Sequence, residues 1–361
     1  MKRSSPTPDS ASSPARDDPG AMDVAVSLGP CDELGAQVYV RAVSPQAPRD
    51  GASDAPRDRS RLEGTLEGPR CRHATTLPTS VRIVDLGGGG APGVLIGRAV
   101  LTEPSFWTPQ VPSLYRLDAR LVGATGDVAH CTRLVGLRRL GVRGRSLWLD
   151  GHRWVPRGVG VNASRTDGTG LRDTAAAAFV DCPDDGFLDW TDGEGVAVIV
   201  RLPDEPPGGN DTLGATTHLV RLARHPSVTI AVVPGGWPTQ AVQAFATATR
   251  QVRGTLLLAR AVDGAAPPPS PAGCDALVVE LAADALPHDS WHVDPGVPLI
   301  ACRSGPDADT AERRAACDRL QADLAAWGVA LAGGTPRWDW AGYVCDGPVR
   351  DALRASRPCA P

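Results

Sequence analysis

The sequence predicts a multidomain protein of the β plus α/β class: an antiparallel β-sandwich followed by a compact (β/α)8 barrel of the TIM type. In the 361-residue chain, apolar residues alternate with period two in segments from about residue 21 to 154. Near-continuous apolar runs then alternate with helical patterns, and eight such runs can be counted. Period two marks a strand with one buried and one wet face, whereas an unbroken apolar run suits a parallel strand covered on both sides. Repeated strand–helix units with eight strands argue for a barrel.

In the first half, segments 36–43, 80–86, 93–101, 113–122 and 146–154 read as strands, with Val38, Val40 and Ala42, then Leu117, Ala119 and Leu121, on the buried face. Gly and Pro punctuate them, as in GGGGAPG at 87–93, which has no helix behind it and so cannot cradle a phosphate. Residues 44–61 are rich in Pro and Asp and read as a long mobile loop. In the second half the strands are 196–200, 228–233, 255–259, 276–281 and 298–302, with shorter ones near Val155–Val161, Ala176–Val180 and Trp338–Val344. Leu219, Leu222 and Ala223 mark one helix; Ala241, Val242, Phe245 and Ala248 mark a second, with Pro238 in its first turn. A third spans about 310–327, capped by Asp309 with Glu312 and stopped by Gly328. Fewer than 200 residues is small for such a barrel, so some helices must be stunted or missing. A doubly wound open sheet is the alternative, but no G-x-G-x-x-G follows an early strand.

These patterns divide the chain into a disordered tail (1–20), the sandwich (21–154), the barrel (155–347) and a C-terminal tail (348–361). With 42% hydrophobic and 22% charged residues the composition is that of a globular protein. The net charge of -4 supplies no basic field for nucleic acid or membrane, and Lys2 is the single lysine. The first 20 residues contain no apolar run of a secretory signal, and no stretch is long and apolar enough to span a bilayer, so the expectation is a cytoplasmic protein without membrane contact. Nine cysteines without C-x-x-C spacing suggest neither a disulfide framework nor a zinc site, and read as buried free thiols. His288 and His292 lack a third ligand, and His225 is explained by the helix end it follows, so no metal and no cofactor is expected. Arg138, Arg139, Arg143 and Arg145 read as a solvated strand face rather than a nucleic-acid patch.

The junction between the halves carries a resemblance. Trp107, Pro109, Pro112, Leu114 and Tyr115, then Gly136-Leu137-Arg138, Asp150-Gly151 and Arg157-Gly158-Val159 follow one another. This order resembles the end of the immunoglobulin-like domain and the first barrel strand of family 2 glycoside hydrolases, which include β-galactosidases and β-glucuronidases. The family has Phe where Leu137 stands and Asn-Gly where Asp150-Gly151 stands; both dipeptides suit a hairpin turn. Farther on, FLDWTDGEGVAVIVRLPD (187–204), ARHPSVTIAVVPGG (223–236), PLIACRSG (298–305) and RWDWAGYVCDG (337–347) resemble the approaches to strands three, four, seven and eight. The likeness covers most of 100–347 and implies an immunoglobulin-like sandwich plus barrel; the family's preceding jelly-roll domain has no counterpart.

A retaining glycosidase needs an acid/base and a nucleophilic carboxylate about 5–5.5 Å apart. In the family an Asn-Glu pair ends the fourth strand, and counting from His225-Pro226-Ser227 places Gly235 and Gly236 there. The nucleophilic Glu ends the seventh strand, and counting from Pro298 places Arg303 there. Glycine cannot transfer a proton, and arginine stays protonated at ordinary pH, so the resemblance implies a barrel without hydrolase chemistry. Other candidate cleft residues are Asp184, Asp204, Glu280, Trp338 and Asp339, beside Arg303. Glu280 inside Val-Val-Glu-Leu needs a partner if it points inward, and Arg303 on the next strand is the expected one. Trp338 and Trp340 share a strand face, and a family tryptophan near this point lines the sugar site, which suggests a stacking platform at Trp338. Three functions remain open: a carbohydrate- or protein-binding module without hydrolysis, a divergent glycosidase pairing Glu280 with Asp204 or Asp339, and a scaffold acting through the sandwich surface.

Overall fold

The structure is a computed structural model that describes residues 22–43, 60–88, 93–123, 126–163, 168–206, 212–251, 256–292, 296–305, 308–332 and 339–347. The expectations for residues 1–20, for nearly all of the 44–61 loop, for Trp338 and for the 348–361 tail lie outside the described residues.

Alternating apolar residues build the sandwich as expected. Its strands are β1 (Asp23–Cys31), β2 (Gly35–Val43), β3 (Arg61–Arg70), β4 (Thr79–Arg82), β5 (Val84–Gly88), β6 (Val94–Thr102), β7 (Leu114–Gly123) and β8 (Gly126–Val135). They form two antiparallel sheets, β1-β2-β6-β5 and β4-β3-β7-β8. Val38, Val40, Ala42, Leu117, Ala119 and Leu121 all lie in the shared core. The run at 80–86 is not one strand. It breaks at buried Ile83, whose N–H bonds to Gly64 O at 2.9 Å, and the chain passes from one sheet to the other. This break puts β4 and β5 on opposite layers.

A three-stranded ribbon follows, β9 (Leu140–Arg143), β10 (Ser146–Leu149) and β11 (His152–Trp154). Asp150 (φ 50°) and Gly151 (φ 78°) turn between the last two, both at the positive φ that Asp-Gly accepts readily. The sequence pattern groups this ribbon with the sandwich, yet Leu147 packs among Ala177, Ala197, Ile199, Ile230 and Ala276, with Leu140, Val142 and Trp154 alongside. The ribbon thus covers the N-terminal end of the barrel, where the lowest apolar layer would otherwise meet water.

The barrel closes through eight parallel strands: β12 (Arg157–Gly160), β13 (Ala177–Asp181), β14 (Val198–Arg201), β15 (Val228–Val233), β16 (Leu257–Asp263), β17 (Ala276–Leu281), β18 (Leu299–Ser304) and β19 (Gly342–Asp346). Phe179, Ile199, Val232, Ala261, Val278, Cys302 and Val344 fill it, a packed core and not a pore. Its helices are α1 (Gly168–Asp173), α2 (Asp185–Glu194), α3 (Thr212–Ala223), α4 (Thr239–Gln251) and α5 (Thr310–Ala332). β16 runs to β17 without a helix, and among the described residues only a 3₁₀ turn at Asp289–His292 separates β17 from β18, the stunting expected from the short chain. Among the described residues no helix is long and apolar enough to cross a membrane.

Two boundaries differ from the sequence reading. Asp309 caps α5 as expected, accepting the Glu312 N–H at 2.9 Å, but Gly328 does not stop the helix, which continues to Ala332. An interior glycine costs about 1 kcal/mol, too little to end a helix whose Cys317, Leu320, Leu324 and Trp327 are anchored in a core. The last strand begins at Gly342 and not near Trp338, because the alternation of Trp338-Asp339-Trp340 imitates a strand ahead of the real one.

Candidate functional site

Side-chain parity determines what reaches the C-terminal mouth of the barrel. Phe179, Ile199, Val278 and Val344 point inward, so Asp181, Arg201, Glu280 and Asp346, two residues later on β13, β14, β17 and β19, continue the same inward lines. Arg201 is the centre of this group. Its Nη2 lies 3.0 Å from Glu280 Oε1 and 3.5 Å from Asp346 Oδ2, and its guanidinium carbon sits 5.0 Å from the Phe179 ring centroid. Burial works to lower the Arg201 pKa, but Asp346, Cys302, Glu280 and Asp181 outweigh it and hold the group above its ordinary value. The mouth therefore contains a permanent cation ringed by carboxylates.

Glu280 is the candidate that the structure retains in the mouth, with a corrected partner. Beside Glu280 in register stands Cys302, while Arg303 stands beside Leu281. Arg303 thus faces out of the barrel, where its Nη1 meets Asp323 on α5 at 2.8 Å and its Nη2 donates to Ala285 O at 2.9 Å. Neighbouring strands carry matched parity, and that rule excludes the expected Arg303–Glu280 pair. The true partner, Arg201, had a readable signal: an arginine closing the apolar run Val198-Ile199-Val200 on a strand buried on both faces.

The other acids do not gather here. Asp184 is the N-cap of α2, its Oδ1 accepting the Phe187 N–H at 2.7 Å. Asp204 is exposed in a bend after β14. Asp339 precedes β19 and pairs with Arg153 of β11 at 3.2 Å, so it belongs to the opposite end of the barrel and cannot join Glu280. After β15, a Cβ on Gly236 would meet no atom within 4 Å, while one on Gly235 would come 2.9 Å from Ala261 O. Trp237 secures this turn by donating to Pro203 O at 3.0 Å and packing edge-on against Phe245.

At the N-terminal end a second polar group ties the sandwich to the barrel. Trp107, fully buried, donates from Nε1 to Asp192 O at 2.8 Å, and Arg138 donates to Pro226 O. Asp192 Oδ2 lies 2.8 Å from His225 Nδ1 and its Oδ1 accepts the Ser227 N–H at 2.9 Å. His225 is therefore held by a carboxylate and not merely by the helix end. Arg138 is no solvated residue: burial pulls its pKa down to about 9, with Asp192 opposing. Arg139 pairs with Asp150 and stacks 4.2 Å over Phe106, and Arg143 stacks over Trp148. The donor atoms of Asp189, Asp192 and His225 lie within 4.8 Å of one another, a spacing that would suit a cation. Both Asp192 oxygens already accept or share a hydrogen bond, which makes this group a fastening of α2 to the start of β15. Seven described cysteines are free thiols, four of them buried, but Cys182 is disulfide-bonded, against the expectation of free thiols throughout.

No protein-family model and no curated protein sequence matches the chain. Solved structures do. The β-glucuronidase of Ruminococcus gnavus superposes with a TM-score of 0.63 at 12% identity, over 91% of this chain and 62% of that enzyme. A glycosyl hydrolase family 2 member from Bacteroides cellulosilyticus gives 0.63 at 12%, over 91% and 44%. A calcium-binding mutant of Bacteroides uniformis beta-glucuronidase 2 gives 0.57 at 14%, over 90% and 46%. The chain thus spans roughly half the length of these proteins. Its antiparallel sandwich, parity-matched barrel and connecting junction together make the fold that of the family 2 glycoside hydrolases.

Proposed function

We propose that the protein is a non-hydrolytic module on a family 2 glycoside hydrolase scaffold, working in the cytoplasm and binding a carbohydrate at the barrel mouth without cleaving it. One observation supports this reading: of the two positions that the sequence resemblance assigns to the family's acid/base and nucleophile, Gly236 lacks a side chain and Arg303 turns out to Asp323. Both carboxylates are needed for double displacement, so their loss removes the mechanism and not merely part of its rate. The Arg201–Glu280–Asp346 group instead supplies fixed donors and acceptors suited to sugar hydroxyls. A protein partner is the other ligand class this surface would serve; nucleic acid and membrane are not.

A second reading has one observation in its favour. Glu280 and Asp346 approach the same Arg201 nitrogen, so their oxygens are no farther apart than those two contacts laid end to end. That separation overlaps the range of about 5–5.5 Å used by retaining enzymes. Against it, a guanidinium occupies the place between them where a glycosidic bond would have to lie.

The test is an assay of purified protein against aryl α- and β-glycosides, with melting temperature recorded across a panel of sugars. The expected result is no turnover, together with a sugar-dependent rise in Tm that Glu280→Gln diminishes. Turnover abolished by both Glu280→Gln and Asp346→Asn would establish the relocated pair and overturn the binding reading. An absence of both turnover and thermal shift would move the function to the sandwich surface.

A further inference from the structure

Sandwich, ribbon and barrel share a cavity of about 200 Å³ at the N-terminal end of the barrel, the end away from the mouth. Pro109 and Gln110 of the β6–β7 loop, Trp154 of β11, and Pro156, Leu171 and Arg172 beside the first barrel strands line it. Ala176 and Ala177, where β13 begins, add only methyl groups to the wall, which leaves the space open. Gln110 and Ala175 are exposed and form its rim.

Two guanidiniums line the cavity, and one of them is neutralised. Arg157 pairs with Asp318 at 3.0 Å, donates to Val155 O at 3.3 Å and bonds to Gln321. Arg172 pairs with no carboxylate among the described residues. Its Nη1 donates to two carbonyls, Pro109 O at 3.2 Å and Glu194 O. The Glu194 carboxylate is itself taken by Arg72 and His73 of the sandwich. These carbonyls fix the Arg172 guanidinium at the wall, where a Cβ on Gly195, another lining residue, would come 2.7 Å from Nη1. Carbonyl dipoles hold the cation without cancelling its charge. Nε and Nη2 make no hydrogen bond among the described residues and are left as donors.

We propose that this cavity binds a small aromatic monocarboxylate, with the carboxylate on Arg172 and the ring against Trp154, Pro156 and Leu171. Charge sets the acid. One uncompensated cation matches one negative charge, and a carboxylate fits the Nε–Nη2 fork with two parallel hydrogen bonds. A phosphate monoester carries up to about two negative charges and would keep one unpaired. Size sets the ring. A cavity of roughly 150 Å³ holds a benzene molecule, so about 200 Å³ holds a ring with its carboxylate and little more. Proline, leucine and tryptophan walls complement such a ring. The site lies at the opposite end from the Arg201 group and stands independently of any sugar bound there. Because three parts of the chain line it, an occupant would also stiffen the junction between sandwich and barrel.

Benzoate is the probe, titrated by calorimetry into the folded, full-length protein. It should bind one site with a Kd between about 10 μM and 1 mM, the range open to so small a ligand. Benzamide has the same shape without the charge and should bind at least about tenfold more weakly. Saturating benzoate should also raise Tm, since it binds the folded state alone. Arg172→Met should weaken benzoate at least about tenfold and leave benzamide unchanged. Arg172 also fastens Pro109 to Glu194, so a second variant guards against poor folding. Gln110→Glu, at the exposed rim, sets a like charge beside the ligand and should weaken benzoate several-fold. The proposal is overturned by the absence of saturable heat and Tm shift with benzoate, or by benzamide binding as tightly. It is equally overturned if folded Arg172→Met or Gln110→Glu protein binds benzoate like the parent.

Discussion

At the N-terminal end of the barrel, Trp107, Gly136 and Arg138 of the sandwich meet Asp192 and Pro226 through close packing and direct hydrogen bonds, and Asp192 in turn holds His225. At the C-terminal end, one guanidinium holds two carboxylates, and the turn after β15 carries Gly235-Gly236, neither of which can supply a third. The residues that carry the sequence resemblance to the glycosidase family lie mostly at the first end. Hydrogen bonds and packing at the junction are required for the chain to fold, whichever ligand it takes; the catalytic carboxylates are required only for reaction. Likeness to a family is therefore evidence about architecture first, and the chemistry has to be read from the mouth.

If the junction is the structural end, the largest effects belong there. Trp107→Ala removes a fully buried indole and its bond to Asp192 O, and should cost about 3–5 kcal/mol in urea unfolding. A loss below about 1 kcal/mol would mean that sandwich and barrel do not depend on this contact. Gly136→Ala comes next. Its Cβ would approach Pro226 Cβ and Cγ at 2.5 Å, and a proline ring cannot swing aside, so overpacking should cost about 1–3 kcal/mol. At the mouth, Arg201→Met leaves Glu280 and Asp346 without their cation. Breaking a buried pair costs about 3–5 kcal/mol, but Glu280 is 44% exposed and solvent screens it, which reduces the expected loss to about 1–2 kcal/mol. Adding Asp346→Asn should recover part of that loss, and a double-mutant cycle would measure how much.

Much of the architecture was legible because it rests on local rules. Period-two alternation gave Val38, Val40 and Ala42 the same core face, and unbroken apolar runs located β15 and β17 to the residue. What escaped was set by long-range geometry. The pairing of Arg201 with Glu280 spans two intervening strands of a closed barrel, and no spacing along the chain announces it. Arg303 lies on the strand next to Glu280 but on the opposite parity, and the aromatic alternation at Trp338-Asp339-Trp340 imitates a strand several residues ahead of the real one. The ribbon at 140–154 has a sandwich-like period but a barrel-facing role, which depends on which apolar layer needs covering. Ile83 marks a change of sheet that an uninterrupted apolar run conceals.

The smallest effect in the comparison should come from Gly236, and it is informative for being small. A Cβ there meets no atom within 4 Å, so Gly236→Ala should change stability by less than about 0.5 kcal/mol. It can even gain slightly by restricting the unfolded chain. Gly235→Ala, one residue earlier, would force a Cβ to 2.9 Å from the backbone oxygen of Ala261 and should cost more in the same urea titration. A loss at Gly236 as large as that at Gly136 would show the mouth to be under the same packing demand as the junction, and the contrast between the two ends would fail. The open space also admits a larger side chain. Gly236→Glu should therefore fold and still show no turnover of an aryl glycoside, because Arg303, the residue that the sequence resemblance sets at the nucleophile's position, is held outside the barrel by Asp323.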